Sequence, residues 1–249
     1  MNIIRRLIPA VVVLVFGLAV PVAAQKVSKE TIDSHGKKRT YYLMVPATAT
    51  ADHPAPLLLL LHGSGRDGTS LMDKWKDLGV KEGIVLVAPN ALTPEGWRTP
   101  DDGPEFLYEI ASALTAKYPI DRRRMYVFGH SGGATFALYM GLFESDYFAA
   151  VAIHAGALGP NDSVIIERAT RKIPFHIAVG TVDPNFPLPA VRDTRDMLVK
   201  SGFNVELIEM KGHNHWYYDL APKINEAAWS FLKDKKLADD PHYTQYSFK

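Results

Sequence analysis

The sequence predicts an α/β fold, with a mostly parallel central sheet covered by helices on both faces. Apolar runs of strand length alternate with stretches of helical periodicity along most of the chain. This alternation is typical of a parallel sheet whose strands are joined by helices. The chain has 249 residues and an apolar content of 47%, which is enough for one sizeable core but not for two independent ones. We therefore expect one domain of this class.

The first 24 residues have the pattern of a secretory signal. Arg5 and Arg6 give a positively charged start, and residues 7–20 form an almost wholly apolar run. Small residues follow, so we expect cleavage after Ala24, a secreted or periplasmic mature protein, and no stable membrane insertion after cleavage. A retained anchor is the alternative, although the apolar run is shorter than the roughly 20 residues that a spanning helix needs.

Seven apolar segments are predicted to be strands, and the run LLLLL reads as a strand buried on both faces. These strands are residues 40–45, 57–61, 84–88, 125–128, 149–153, 175–179 and 205–210. The predicted helices are residues 70–81, 104–117, 132–143, 188–201 and 221–232. No internal repeat interrupts the series, so residues 25–233 are predicted to be the domain. Residues 234–249 form a charged and aromatic tail that either packs on the domain or is disordered.

Charge and composition exclude several functional classes. The 28 basic and 27 acidic residues are spread along the chain and give a net charge of +1. No basic stripe is therefore available to follow a phosphate backbone, and nucleic acid is not an expected partner. The chain has no cysteine, which excludes disulfides, thiolate chemistry and cysteine-ligated zinc. We expect neither a cofactor nor a metal ion.

The motif GHSGG at residues 129–133 carries the sharpest chemical signal. It follows the apolar run MYVF and precedes the helical stretch ATFALYMGLF, which is the strand-to-helix context that G-x-S-x-G requires. A serine at such a strained turn projects its hydroxyl beyond the sheet, and the glycines let the strand and helix pass closely. Ser131 is therefore the candidate nucleophile. The N–H of Gly132, at the helix N-terminus, can meet a developing oxyanion. A capping serine in a tight turn is the alternative.

A serine hydroxyl needs a base to take its proton, and that base needs an orienting carboxylate. In folds with this motif the acid and then the histidine follow the serine along the chain. Asp183 fits the acid because the segment GTVDP comes directly after the strand FHIAV; an Asp-Pro turn is the alternative, and Asp219 is the rival carboxylate. His213 and His215 follow the strand VELIEM, and both are candidates for the base. A metal site built from these two histidines would lack a carboxylate-rich partner segment.

The loop at residues 61–68, LHGSGRDG, follows the buried leucine strand. Its glycines allow main-chain N–H groups to turn toward a substrate carbonyl, and Ser64 is the candidate for the second oxyanion donor. We interpret His62 as structural support for this loop. Phosphate binding is the alternative for a glycine-rich loop, but no G-K-[ST] follows and Arg66 alone is a poor substitute.

Four aromatic residues lie in loops that follow strands and are candidates to line the substrate cleft. Trp97 and Trp216 are predicted to bind substrate, with Phe186 and Tyr217 completing an aromatic wall suited to a phenolic acid or a sugar ester. Packing of the loops alone is the alternative for each. Only about 50 residues separate the candidate nucleophile from the candidate acid, and most of them belong to core elements. We therefore expect an open cleft and no large lid domain.

Four segments carry a resemblance to a known family: LLLLLHGSGRDG, YPIDRRRMYVFGHSGGATFALYMG, YFAAVAIHAGAL and VGTVDP. Together they resemble the polyhydroxybutyrate-depolymerase and feruloyl-esterase branch of the α/β-hydrolases. The resemblance implies the α/β-hydrolase fold and a catalytic triad of Ser131, Asp183 and His215. It also implies oxyanion donors at Ser64 and Gly132. The implied activity is that of a secreted serine esterase that forms an acyl-enzyme with feruloyl, acetyl or hydroxyalkanoate-type esters.

The resemblance spans residues 39–232 and departs from the family at two points. Members often carry a cysteine where this chain has Ser64, a difference that does not affect a main-chain donor. Their last motif is frequently Gly-His-x-Trp, whereas this chain has Gly-His-Asn-His-Trp. A glycine three residues before the histidine and aromatics after it recur in related hydrolases, and this favours His215 over His213. A serine peptidase of the same fold and a catalytically silent binding module are the alternative functions.

Overall fold

The computed structural model describes residues 26–244, which form eight strands and six helices. The strands are β1 Ser28–Ser34, β2 Lys37–Met44, β3 Ala55–Leu61, β4 Val85–Pro89, β5 Ile120–His130, β6 Ala150–His154, β7 Phe175–Gly180 and β8 Val205–Met210. The helices are α1 Thr69–Glu82, α2 Pro104–Lys117, α3 Gly132–Phe143, α4 Ser163–Arg168, α5 Leu188–Lys200 and α6 Ala221–Leu232. The predicted signal, residues 1–24, lies outside the described residues. Within those residues no helix is both long and apolar enough to cross a membrane.

All eight strands belong to one sheet, in the order β1-β2-β4-β3-β5-β6-β7-β8. The pairs β1–β2 and β2–β4 are antiparallel, and the remaining pairs are parallel. The carboxyl ends of β3, β5, β6, β7 and β8 therefore meet at one edge of the sheet. In open sheets of this kind, ligands bind at that edge.

The side chains of β3 alternate between two cores on opposite faces of the sheet. Leu57, Leu59 and Leu61 pack with residues of α2, α3 and α5, whereas Leu58 and Leu60 pack with residues of α1 and α6. All five are fully buried, and each contributes roughly 1.5–3 kcal/mol relative to an exposed position. Covering both faces makes the central strand a continuous apolar run, as the sequence predicts.

The predicted class and the mostly parallel sheet are confirmed, and two elements were not predicted. Strand β1 has the polar sequence SKETIDS and alternates between half-buried and exposed positions at the edge of the sheet. It therefore lacks the apolar pattern of a buried strand. Helix α4 has six residues, too few for its periodicity to be read. Strand β5 begins at Ile120 rather than at Met125, because its first half carries charged residues.

The described part of the tail packs on the domain. Leu237 is buried, and its N–H donates to the carbonyl of Arg123 at 3.0 Å. The ring of Tyr243 stacks on Tyr108 with centroids 4.1 Å apart, and the N–H of Thr244 donates to a carboxylate oxygen of Glu144 at 3.0 Å. Of the two alternatives left open by the sequence, residues 234–244 take the packed one.

Candidate active site

Ser131 sits at a sharp turn between β5 and α3. Its φ is 58° and its ψ is −124°, a backbone conformation that L-residues rarely adopt and that stores strain. The flanking glycines make this turn possible: an added Cβ on Gly133 would lie 2.0 Å from the carbonyl oxygen of Leu61, and one on Gly129 would lie 2.2 Å from the carbonyl oxygen of Gly133. We call residues 129–133 the serine elbow. It presents the Ser131 hydroxyl at the carboxyl edge of the sheet.

The side chains of Ser131, His215 and Asp183 form one hydrogen-bonded series. Nε2 of His215 lies 2.9 Å from Oγ of Ser131, and Nδ1 of His215 lies 2.9 Å from Oδ2 of Asp183. A carboxylate can only accept a hydrogen bond, so Nδ1 carries the ring proton and donates it to Asp183, and Nε2 is free to accept the hydrogen bond of the serine hydroxyl. These distances suit a nucleophile, a base and the group that orients the base.

The Asp183 carboxylate is fully buried and held by backbone donors. Its Oδ1 accepts hydrogen bonds from the N–H groups of Asn185 at 2.8 Å and Phe186 at 3.0 Å. Oδ1 thus accepts from the N–H groups of a tight turn while Oδ2 accepts from His215. These hydrogen bonds compensate the cost of burying a carboxylate. The Phe186 ring stacks on His215 with centroids 5.8 Å apart. This contact limits the rotation of the imidazole.

The backbones of Ser64 and Gly132 approach each other beside the serine hydroxyl. An added Cβ on Gly132 would lie 2.6 Å from Oγ and 3.5 Å from the main-chain nitrogen of Ser64. Gly132 is the first residue of α3, and the N–H groups of a first helical turn have no partner within the helix. The backbones of the two residues that the sequence predicted as oxyanion donors are thus close neighbours, and one of them directly follows the nucleophile.

His62 fixes the loop that carries Ser64. The N–H of Ala91 donates to Nε2 of His62 at 3.0 Å, so Nδ1 carries the proton and donates to the carbonyl of Gly63 at 2.9 Å. The indole Nε1 of Trp97 donates to the carbonyl of His62 at 2.8 Å. Burial lowers the pKa of His62, which keeps this arrangement neutral.

The two tryptophans lie in different surroundings. Trp97 is half-buried and stacks on Phe136, with centroids 5.1 Å apart and planes 12° from parallel. It borders a cavity of about 380 Å³ next to Gly132. Trp216 is 46% exposed, and the Arg66 guanidinium lies 5.6 Å from its ring centre. Trp97 therefore belongs to a rigid wall and Trp216 to the open rim.

Tyr217 does not belong to the aromatic wall that the sequence predicted. It is fully buried, and its hydroxyl donates to Oδ1 of Asn225 at 2.6 Å. The alternation of side chains in this loop explains the difference: Trp216 points outward, and Tyr217 packs under the site against Phe128 and His130. The interpretation that this residue packs its loop was correct.

His213 lies away from the serine, contrary to one of the two alternatives for the base. Its Nε2 is 3.2 Å from Nε2 of His154. An added Cβ on Gly180 would lie 2.1 Å from the His213 carbonyl oxygen. The loop at residues 211–218, which we call the base loop, therefore rests directly on the end of β7.

His130 and His154 are residues that sequence reasoning did not connect to the site. Nδ1 of His130 lies 3.1 Å from Nδ1 of His154, and both rings are buried. Burial lowers the pKa of His130 to about 3 and that of His154 to about 2, so both rings are neutral near neutral pH. No single segment carries a signal for this contact, because it arises where the two histidines end neighbouring parallel strands and pair in register. Among residues 26–244, no group of three or more metal-ligating side chains could hold a metal ion.

A family model described as Phospholipase/Carboxylesterase matches residues 109–225. A bifunctional acetylxylan esterase/xylanase from Neocallimastix patriciarum is 29% identical over 154 residues, which are 59% of this chain and 22% of that protein. The chain thus spans about a fifth of that relative's length.

Two solved structures illustrate the likeness in fold. A ferulic acid esterase from Anaeromyces mucronatus superimposes with a TM-score of 0.69 at 19% identity, over 86% of this chain and 92% of that one. The S-formylglutathione hydrolase FrmB from Staphylococcus aureus has a TM-score of 0.69 at 15% identity, over 84% and 100%. At these identities the likeness establishes the fold alone. The fold is that of the α/β-hydrolases, and the family model and the acetylxylan esterase relative support a place for this chain in the esterase branch of that superfamily.

Proposed function

We propose that this chain is a secreted serine esterase that hydrolyses carboxylic esters through an acyl-enzyme on Ser131. One observation carries the proposal: the unbroken series of hydrogen bonds from Ser131 through His215 to Asp183, each 2.9 Å long. The strained serine elbow supports it, because a structural serine would not need a φ of 58°.

In the acylation step, Oγ of Ser131 forms a bond to the ester carbonyl carbon while its proton passes to Nε2 of His215. The electron pair of the carbonyl bond moves to the carbonyl oxygen, which becomes an oxyanion. The imidazolium then donates the proton to the alcohol oxygen, the carbon–oxygen bond breaks and the alcohol leaves. Asp183 stabilises the imidazolium and fixes its tautomer without taking a proton.

In the deacylation step, water takes the place of the departed alcohol. Its proton passes to Nε2 of His215 as its oxygen bonds to the acyl carbon, and the same proton returns to Oγ of Ser131 when the acid is released. The main-chain N–H groups of Ser64 and Gly132 stabilise both oxyanions. Each such donor is worth on the order of 10²–10³ in rate.

The cavity beside Gly132 favours an aromatic acyl group. Its lining combines aromatic side chains with two threonines and one arginine, and its volume of about 380 Å³ exceeds what an acetyl group needs. The lining residues are Trp97, Arg98, Thr99, Gly132, Thr135, Phe136 and Tyr139. The parallel stack of Trp97 on Phe136 offers a flat edge for a phenolic ring. We propose feruloyl-type esters as the preferred substrates, before acetyl and hydroxyalkanoate esters.

A larger and more polar groove borders the loop that follows Ser64. It has a volume of about 650 Å³ and is bordered by residues 65–67, 69–70 and 90–94. Its hydroxyl, carboxylate and amide groups suit a hydroxylated alcohol such as a sugar. The proposed signal at residues 1–24 would bring the enzyme to such polymer-borne esters outside the cytoplasm.

A substrate panel on the mature protein tests this proposal. It compares methyl ferulate, nitrophenyl acetate, acetylated xylan, short hydroxyalkanoate oligomers and a peptide amide, each with wild type and Ser131→Ala. We expect the largest kcat/KM on methyl ferulate and near-background rates in Ser131→Ala. Trp97→Ala should lower the rate on methyl ferulate about tenfold more than on nitrophenyl acetate. Trp97 also bonds the carbonyl of His62, so its loss can lower the rate on every ester. The ratio of the two rate losses therefore measures the contact of Trp97 with the acyl group. An equal loss on both esters would contradict the assignment of this cavity.

A further inference from the structure

Three buried or half-buried histidines form a continuous series beneath the candidate site. Nδ1 of His130 meets Nδ1 of His154 at 3.1 Å, and Nε2 of His154 meets Nε2 of His213 at 3.2 Å. We call these three residues the histidine chain. Its members come from the end of β5, the end of β6 and the base loop. The chain therefore crosses from the serine elbow to the segment that carries His215.

The hydrogen bonds of the histidine chain must all run in the same direction along the series. A neutral imidazole has one N–H, and each link needs one donor and one acceptor. Nδ1 of His130 also lies 3.4 Å from the carbonyl oxygen of His154, which only accepts. This favours the arrangement in which His130 donates to His154 and His154 donates to His213. The tautomers of all three rings are then fixed together.

His154 makes contact with both halves of the site. Its carbonyl accepts the N–H of Ser131 at 3.1 Å, and its ring meets the residue before Ser131 and the residue two positions before His215. The base loop has other contacts: the His213 carbonyl accepts from the N–H of Val182 at 3.1 Å, and Tyr217 stacks on His130 while its hydroxyl donates to Asn225. Besides the bond between His215 and Ser131 itself, the bond between His154 and His213 is the side-chain hydrogen bond that joins the described residues of the base loop to the end of β6, directly beside the serine elbow.

The histidine chain also keeps its surroundings uncharged. The ring of His130 lies 5.1 Å from that of His215, and burial is the main cause that keeps His130 and His154 neutral. Asp183 and Arg66 face His130 with opposite effects on its pKa. A protonated neighbour would oppose the imidazolium that forms on His215 during acyl transfer. A neutral polar bridge holds the loop without that penalty.

We propose that His154 is a positioning residue for the reaction, and that its bond to His213 sets the placement of His215 against Ser131. This inference rests on the proposed esterase function. It does not make His154 a catalytic residue, since its ring touches neither the nucleophile nor the base. It predicts that loss of this one bond lowers turnover rather than substrate affinity.

Substitutions at position 154 separate the two links. The glutamine amide nitrogen lies as many bonds from the backbone as Nε2 of histidine, so His154→Gln keeps the donor to His213. The asparagine oxygen lies at the level of Nδ1, so His154→Asn keeps only the link to His130. His154→Phe removes both and preserves the ring. We expect His154→Phe and His154→Asn to lower kcat 10- to 100-fold with KM within about twofold. His154→Gln should stay within about threefold of wild type.

His176→Phe is the matched control. His176 is equally buried on the neighbouring strand β7, and its ring bonds Glu206 outside the site at 2.9 Å. Its replacement should lower the melting temperature and leave kcat unchanged. If His154→Phe fails to fold, His213→Phe at the half-exposed end breaks the same link and should cause the same loss. The double variant His154→Gln/His213→Phe should then behave like His213→Phe alone, because a single bond is involved.

Two failures are distinguishable by including Ser131→Ala in every assay. Ester hydrolysis that survives in Ser131→Ala overturns the proposed function, and the positioning role with it. Ser131-dependent hydrolysis with equal kcat in wild type, His154→Phe and His213→Phe overturns the positioning role alone. Equal losses in His154→Gln and His154→Asn that follow the melting temperature would also overturn it, because they would indicate a purely structural residue.

Discussion

The serine elbow and the base loop meet at one hydrogen bond but are held in place by different means. In the elbow, the positive φ of Ser131 and the close approach of Gly129 to Gly133 lie within five consecutive residues. The base loop depends on groups far away in sequence. Gly180 leaves room for the His213 carbonyl, and the ring of His154 meets that of His213. A nucleophile can thus be built locally, whereas its base must be delivered by tertiary contacts.

The largest expected effect is the loss of either partner at the meeting point. Ser131→Ala and His215→Ala should each lower kcat on a good ester by on the order of 10⁴-fold or more, leaving what the oxyanion donors and binding supply. The double variant should be no worse than either single one, because the triad acts as a unit. Initial rates with nitrophenyl acetate measure this, and half of the wild-type rate in Ser131→Ala would sink the assignment.

The two histidines of the base loop should differ sharply. His213 bonds only the ring of His154 among side chains described here, so His213→Ala should cost tens-fold at most, through the placement of the loop. His215→Ala removes the proton acceptor itself. The same rate assay compares them directly. Near-complete inactivation by His213→Ala, together with a mild effect of His215→Ala, would reverse the roles.

Crowding the seat of the base loop should have an intermediate effect. In Gly180→Ala the new Cβ would lie 2.1 Å from the His213 carbonyl oxygen, so the loop must shift. We expect kcat to fall 10- to 100-fold and stability to fall by about 1–3 kcal/mol. Gly202→Ala is the control: its φ of 88° makes alanine strained, but no atom lies within 4 Å of the added Cβ. Gly202→Ala should lower stability and leave kcat unchanged. A loss of kcat in Gly202→Ala would show that destabilisation alone explains the loss in Gly180→Ala.

The histidine chain should make stability fall in acid. Burial lowers the pKa of His130 to about 3 and of His154 to about 2, whereas an unfolded histidine titrates near 6.5. Below about pH 6.5 the unfolded chain binds more protons, so this contribution to stability is complete above that pH and is lost as the pH falls. Each ring adds about 1.4 kcal/mol per pH unit to the slope. Urea unfolding between pH 6 and pH 4 gives the free energy of unfolding as a function of pH. Its slope should be shallower by about that amount in His154→Phe than in wild type. Equal slopes in the two proteins would contradict a neutral histidine chain.

The smallest expected effect is that of a chelator. The proposed nucleophile is activated by His215 and Asp183, so EDTA should not change the rate. The measurement is the initial rate before and after dialysis against EDTA, with added zinc as the control. Loss of activity that zinc restores would show that the histidines of the base loop bind metal.

The contrast between local and distant contacts also explains which features could be predicted from the sequence. The buried leucines of β3 and the motif of the serine elbow are local patterns, and both the fold class and the turn at Ser131 follow from them. The polar edge strand β1 carries no such pattern, because one of its faces contacts solvent. The contact between His213 and His154 could not be predicted from the sequence for a different reason. It required the register that places His154 beside His130, which is a property of the sheet and not of any single segment.

The most direct test of the central claim is labelling with a serine-directed fluorophosphonate, followed by intact mass and peptide mapping. We predict one label per chain, on Ser131, in wild type and in His213→Ala. We predict very slow labelling in His215→Ala, because the base no longer takes the serine proton. A label on another residue, or labelling of His215→Ala at the wild-type rate, would contradict the proposal that Ser131 is the nucleophile and His215 its base.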